Sequence, residues 1–341
     1  MRLLILSLVI VLYSCKGDNH PIPPKSPSSD LPQQETKTIK KVEGFASPEA
    51  IKESELPVYG KGKANFTIKV KGAVPGPSSL IGFYADQNLR VDETQIDANG
   101  NITYTCGSCK EGQTTYPQGL YYVQIANEKY LQVILGEDQE FVLETTIDNP
   151  DGNMVIKGSD ENEAFFTNLK YEKANQPKFV EIGESMKAAE PNSPEYDRLK
   201  AEQKKLVDAR LIHLDEIYTK YPNTLLTSFK KAGQDPILRE DILDDQEKIY
   251  YYRQEFWEDV DWSDRRLIRT PVIKNKLAKY FEQLTPQNHD SIFASAHRLS
   301  DQLLMHPEYY KYIVNGVVKK YEPTKTSIMD PEYVFVKMMH R

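Results

Sequence analysis

Between Lys157 and Asn162 the spacing of apolar residues changes from two to three or four, which divides the chain into a strand-forming part and a helix-forming part. Upstream, "ANFTIKVKG" alternates Phe66, Ile68 and Val70 with Thr67, Lys69 and Lys71, the pattern of a strand with one buried face. The runs "SLIGFYAD", "LRVDETQI", "NITYT", "GLYYVQIA", "KYLQVILG", "EFVLETTI" and "NMVIKG" read the same way. Turn residues separate them, among them Asp97-Ala98-Asn99-Gly100 and Asn149-Pro150-Asp151-Gly152. Short strands at roughly ten-residue spacing predict an antiparallel β-sandwich or barrel-like domain over residues 58–158.

Downstream, residues 159–341 read as a C-terminal helical bundle, so the fold class is α+β. Three helix starts share a capping side chain followed by proline: Ser193-Pro194, Thr285-Pro286 and Asp330-Pro331. Proline is tolerated there because its missing N–H would lack a helical partner anyway. The longest helix is expected from Glu195 to Lys220, with Leu199, Leu206, Val207, Leu214, Ile217, Tyr218 and Tyr221 on one stripe. Others are expected near 162–175, 246–258, 263–284, 287–305, 308–321 and 331–341. The last is strongly apolar and has no C-cap glycine, which leaves two readings: it docks in the bundle, or the chain is truncated.

The N-terminus sets the compartment. Residues 1–14 hold one basic residue and the run "LLILSLVIVLY", too short to span a bilayer as a mature helix, and read as a lipoprotein signal peptide. "LYSC" resembles a bacterial lipobox, which makes Cys15 the lipid-attachment residue and the first residue of the mature chain. Residues 15–57 form a Pro- and Ser-rich tether with almost nothing to bury, interrupted by a marginal helical turn or two at 47–54. The expected location is the cell envelope, with the protein lipid-anchored and facing the periplasm or cell surface. Loss of Arg2 with the signal takes the formal charge from −7 to −8, and with no basic cluster nucleic acid is not an expected partner.

With Cys15 lipidated, Cys106 and Cys109 remain as a Cys-x-x-Cys pair in an oxidising compartment. A redox cysteine of this spacing gains its low pKa at a helix N-terminus, whereas "NITYT" leads in as a strand and "KEGQTTYPQG" leads out as a loop. That setting favours a structural disulfide clipping a hairpin tip; reduced thiols, a redox pair and half a metal site remain as alternatives. The six histidines form no metal-ligand spacing, and no nucleophile elbow, phosphate loop or dinucleotide fingerprint occurs. No catalytic residue, metal or cofactor is assigned. The acidic pairs Asp244-Asp245 and Glu258-Asp259 read as solvated loops. The aromatic groups "YYYRQEFW" and "PEYYKYIVNGVVKKY" suggest either helix packing, by their helical spacing, or a glycan-stacking surface. Asp290-Ser291-Ile292 fits an O-glycosylation pattern associated with exported Bacteroidota proteins, with Ser291 as acceptor.

The order of lipobox, tether, β domain ending "KGSDENEAFF", helical domain containing "EFWEDVDWSDRRLIRTPVIKNKLAKYFEQL" and terminal "MDPEYVFVKMMHR" resembles Bacteroidota envelope lipoproteins. In that family two domains of unknown function precede a thioredoxin-like domain of the thiol-disulfide reductase type. The resemblance spans nearly all of the mature chain and is strongest over residues 256–284. The family's Trp-preceded Cys-x-x-Cys is absent before Arg341, so no catalytic residue carries over. The resemblance implies the fold and location of the accessory domains, and the preferred reading of the chain is a non-catalytic accessory or partner-binding module. The alternatives are a thiol-disulfide oxidoreductase, through Cys106 and Cys109 or a missing downstream domain, and a glycan-binding lipoprotein.

Overall fold

The computed structural model describes residues 57–239, 241–326, 328 and 330–341. The signal segment, Cys15, most of the tether and the short helix expected at 47–54 lie outside the described residues. The chain is α+β, with eight strands preceding eight α-helices among the described residues. The strands are β1 (Phe66–Lys71), β2 (Gly76–Tyr84), β3 (Gln87–Ile96), β4 (Asn101–Tyr104), β5 (Gly119–Ala126), β6 (Lys129–Leu135), β7 (Val142–Thr146) and β8 (Val155–Lys157).

They form one curled sheet, half of a barrel, in the order β6-β5-β2-β3-β4-β1-β7-β8. Phe66, Ile68 and Val70 are fully buried on its inner face, as the period of two requires. The strand partners follow no such rule. β1 pairs with β7 in parallel, and the other ladders are antiparallel, so the sheet is mixed where an antiparallel one was expected. Alternation records which face of a strand is buried and carries no information about the direction of its neighbour.

The helices are α1 (Asp160–Ala188), α2 (Pro194–Lys220), α3 (Leu225–Ala232), α4 (Asp245–Glu255), α5 (Val272–Lys279), α6 (His289–Gln302), α7 (Pro307–Lys320) and α8 (Pro331–Met339). Ser193 and Asp330 cap α2 and α8 as expected, their side chains accepting the N–H groups of Tyr196 and Tyr333. Thr285-Pro286 does not start a helix. The cap of α6 is Asn288, whose Oδ1 accepts the N–H of Ser291 at 2.9 Å, while the N–H of Thr285 closes a π-helical turn on the carbonyl of Tyr280. The helix expected over 263–284 is broken. A 3-10 segment, Arg265–Arg269, precedes α5, because Pro271 excludes the residue before it from the helical region and Thr270 is extended. Helix α1 runs past 175 and through Pro177 at an exposed position, where water can serve the carbonyl that proline leaves without a donor.

The sheet meets the helices at the junction where the period changes. Gly158 takes a φ of 81°, and Ser159 caps α1. Asn162 then docks the helix on the sheet edge: its Oδ1 accepts the N–H of Ile134 at 3.0 Å and its Nδ2 donates to the carbonyl of Ile134 at 2.9 Å. Glu161 caps α3, accepting the N–H groups of Leu225 (2.7 Å) and Leu226 (3.4 Å). A second joint comes from the 3-10 segment. The carbonyl of Ile268 accepts the N–H of Ala85, and Arg266 is paired with Asp264 while donating to Ser228 on α3 at 3.2 Å. Buried apolar residues form one continuous cluster from Phe66 in the sheet to Val334 and Met338 in α8. The last helix therefore docks through these two residues.

Candidate functional site

The Cys-x-x-Cys loop follows β4. The two sulfur atoms lie at disulfide distance, with Cα atoms 5.1 Å apart. Cys106 is 9% exposed and holds a φ of 61°, unusual for a side chain other than glycine or asparagine. Its N–H donates to the hydroxyl of Tyr116 at 2.8 Å, and that hydroxyl donates to the carboxylate of Asp92 at 2.5 Å. Asp92 also accepts the hydroxyl of Ser108 (2.6 Å) and the N–H of Glu93 (2.8 Å). Burial opposes its charge, but the hydrogen bonds from Ser108 and Tyr116 hold the carboxyl below the usual range. Burial and the neighbouring Asp92 push the Tyr116 phenol well up, so it stays a proton donor. No helix follows the pair before β5, so no helix N-terminus is available to stabilise a thiolate.

The other residues singled out in the sequence scatter. Ser291 is half-buried on the first turn of α6. His213 stacks on Tyr171 at 3.9 Å beside the Arg210–Glu172 ion pair, and burial lowers its pKa. Asp244 caps α4, and Glu258 and Asp259 are exposed. Phe256, Trp257 and Tyr309 are buried in the core, where Phe256 and Trp257 meet edge to face at 5.2 Å. Among the described residues, no three His, Cys, Asp or Glu side chains gather in a way that could hold a metal, and no helix is long and apolar enough to cross a membrane.

Tyr312 behaves differently from these core aromatics. It lines an open groove of about 420 Å³ between the β2–β3 turn and α7, together with Tyr84, Asp86, Gln87, Glu308 and Asn315. The turn is the two-residue step Ala85-Asp86, with Tyr84 paired to Gln87 and Ala85 at a φ of 57°. The bond from its N–H to Ile268 holds this strained conformation at 2.8 Å. The guanidinium of Arg269 lies over Tyr84, 4.8 Å from its ring centre, and burial together with the nearby Glu308 raises the Tyr84 phenol. Burial raises the Glu308 carboxyl, with Arg269 opposing. Burial together with Asp86 pushes the Tyr312 phenol up to about 12. The arrangement offers aromatic side chains and hydrogen-bonding side chains of both kinds.

Scans against protein-family models, curated proteins and solved structures return no match to this chain. No motif marks Asp92, Tyr116, Tyr84 or Glu308 in the sequence. Each acquires its role from residues distant in the chain, such as Tyr116, which lies 24 positions from Asp92.

Proposed function

We propose that this chain is a non-catalytic lipoprotein of the cell envelope, anchored by lipid on Cys15 and held off the bilayer by residues 15–57. Its barrel-like sheet and helical bundle then act as a binding module for a ligand or an envelope protein, as an accessory of a thioredoxin-like system. The observation that supports this reading best is the setting of Cys106 and Cys109, a short loop tied by Tyr116 and Asp92 without a helix N-terminus beside it. An insulin-reduction assay on the purified chain, with a Cys106→Ser/Cys109→Ser control, tests it. We expect no thiol-dependent turnover; turnover lost in the control would overturn the reading. Intact-mass analysis of membrane-extracted protein tests the anchor, and an unmodified Cys15 would remove it.

One observation favours the thiol-disulfide alternative. Gly107 and Ser108 are exposed and Cys109 is half-buried, so an incoming thiolate could reach the pair. The same assay separates the two readings.

A further inference from the structure

We propose that the groove between the β2–β3 turn and α7 is a binding site for a short saccharide. The inference rests on the reading of this chain as a binding module and specifies where it binds and what.

A sugar ring presents two kinds of surface: faces of C–H groups that pack on an aromatic ring, and an edge of hydroxyls that each donate and accept hydrogen bonds. The groove supplies a counterpart to each. Tyr84 and Tyr312 are both half-buried and line the cavity, so two aromatic rings border it. The guanidinium of Arg269 lies over the Tyr84 ring, a contact made before any ligand arrives, which lowers the cost of ordering that side chain on binding. Gln87 and Asn315 offer amides, which donate and accept at once, and Asp86 offers an acceptor-only carboxylate. These three side chains are exposed and therefore accessible to a ligand.

The volume of about 420 Å³ lies in the lower part of the range for small-molecule sites, about 300–1,000 Å³. The charges argue against a polyanion, because Asp86 and Glu308 line the same groove as Lys311 and Lys319. An apolar ligand would strand the amides and carboxylates without partners. The strained Ala85 turn forms one wall, and its tie to Ile268 connects that wall to the joint between sheet and helices.

The test is saturation-transfer NMR and calorimetry on the full mature chain in detergent, titrated with neutral gluco-, xylo-, manno- and N-acetylglucosamine oligosaccharides. Oligogalacturonate and a mixed tetrapeptide serve as the competing classes. We expect at least one neutral oligosaccharide to bind. Tyr312→Ala and Asn315→Ala should each weaken it about tenfold, while Tyr312→Phe retains it. Asn315 is exposed, so its variant separates loss of binding from loss of folding. No binding by any neutral oligosaccharide, binding unchanged in both alanine variants, or tighter binding of the tetrapeptide or oligogalacturonate would overturn the proposal. Failure here with a negative insulin assay removes the saccharide site and leaves the binding-module reading. A positive insulin assay with saccharide binding intact removes the non-catalytic reading and leaves the saccharide site.

Discussion

Asn162 pairs its side-chain amide with both backbone groups of Ile134 on the edge strand β6, doing for that edge what another strand would do. Asn162→Ala would leave a buried N–H and a buried carbonyl without partners, each worth about 1–3 kcal/mol. We expect a loss of about 2 kcal/mol or more in urea unfolding. Glu161 is the complementary case. Burial pushes its carboxyl up to about 7 from 4.5, against the backbone N–H groups of Leu225 and Leu226 and the charge of Arg266. A carboxyl with a raised folded-state pKa binds its proton more tightly in the folded chain than in the unfolded one. Stability therefore falls as pH rises across that window. Glu161→Gln should flatten the decline, measured as urea midpoints on either side of it; an unchanged slope would show that Glu161 does not titrate there. Gly136 lies so close that an added Cβ would stand 2.5 Å from Cγ of Glu161. Gly136→Ala should destabilise by about 1–3 kcal/mol through overpacking, visible as a lower Tm. The string "GSDEN" was legible as a junction, but the separate tasks of its Glu and Asn were not, since their partners lie on β6 and α3.

At the scale of elements, the Cys106–Cys109 loop has two fastenings. A ring this small contributes about 2 kcal/mol at most, while Asp92 satisfies Tyr116, Ser108 and the N–H of Glu93 together. We expect Asp92→Ala to lower the urea midpoint more than Cys106→Ser/Cys109→Ser does; the opposite order would make the disulfide the principal fastening. Because the Asp92 carboxyl is held below its usual range, its contribution is present at neutral pH and is lost as pH falls through its folded-state pKa. Elements with short-range signals were readable: Ser193-Pro194 and Asp330-Pro331 cap helices as their chemistry predicts. Thr285-Pro286 carries the same signal and fails. Asn288, three residues later, offers the stronger cap, and Gln287 donates to the carbonyls of Phe281 and Thr285 and so holds the chain in a turn.

For the whole molecule, the buried cluster that runs from β1 to α8 makes the sheet and the helices mutually dependent. We expect one cooperative thermal transition over the folded body, reported alike by near-UV and far-UV circular dichroism. Two separate transitions would show that the sheet and helices fold independently. The sequence by itself determined the α+β class, the positions of the strands and the inward face of β1, because burial periodicity is a local property written every second or every third to fourth residue. Only the tertiary structure decided that β1 and β7 run parallel, that Asn162 and Glu161 form the joint, and that Tyr84 and Tyr312 share a groove. Those pairings join residues far apart in the chain, and their selection depends on the energy of packing the whole body rather than on any local pattern.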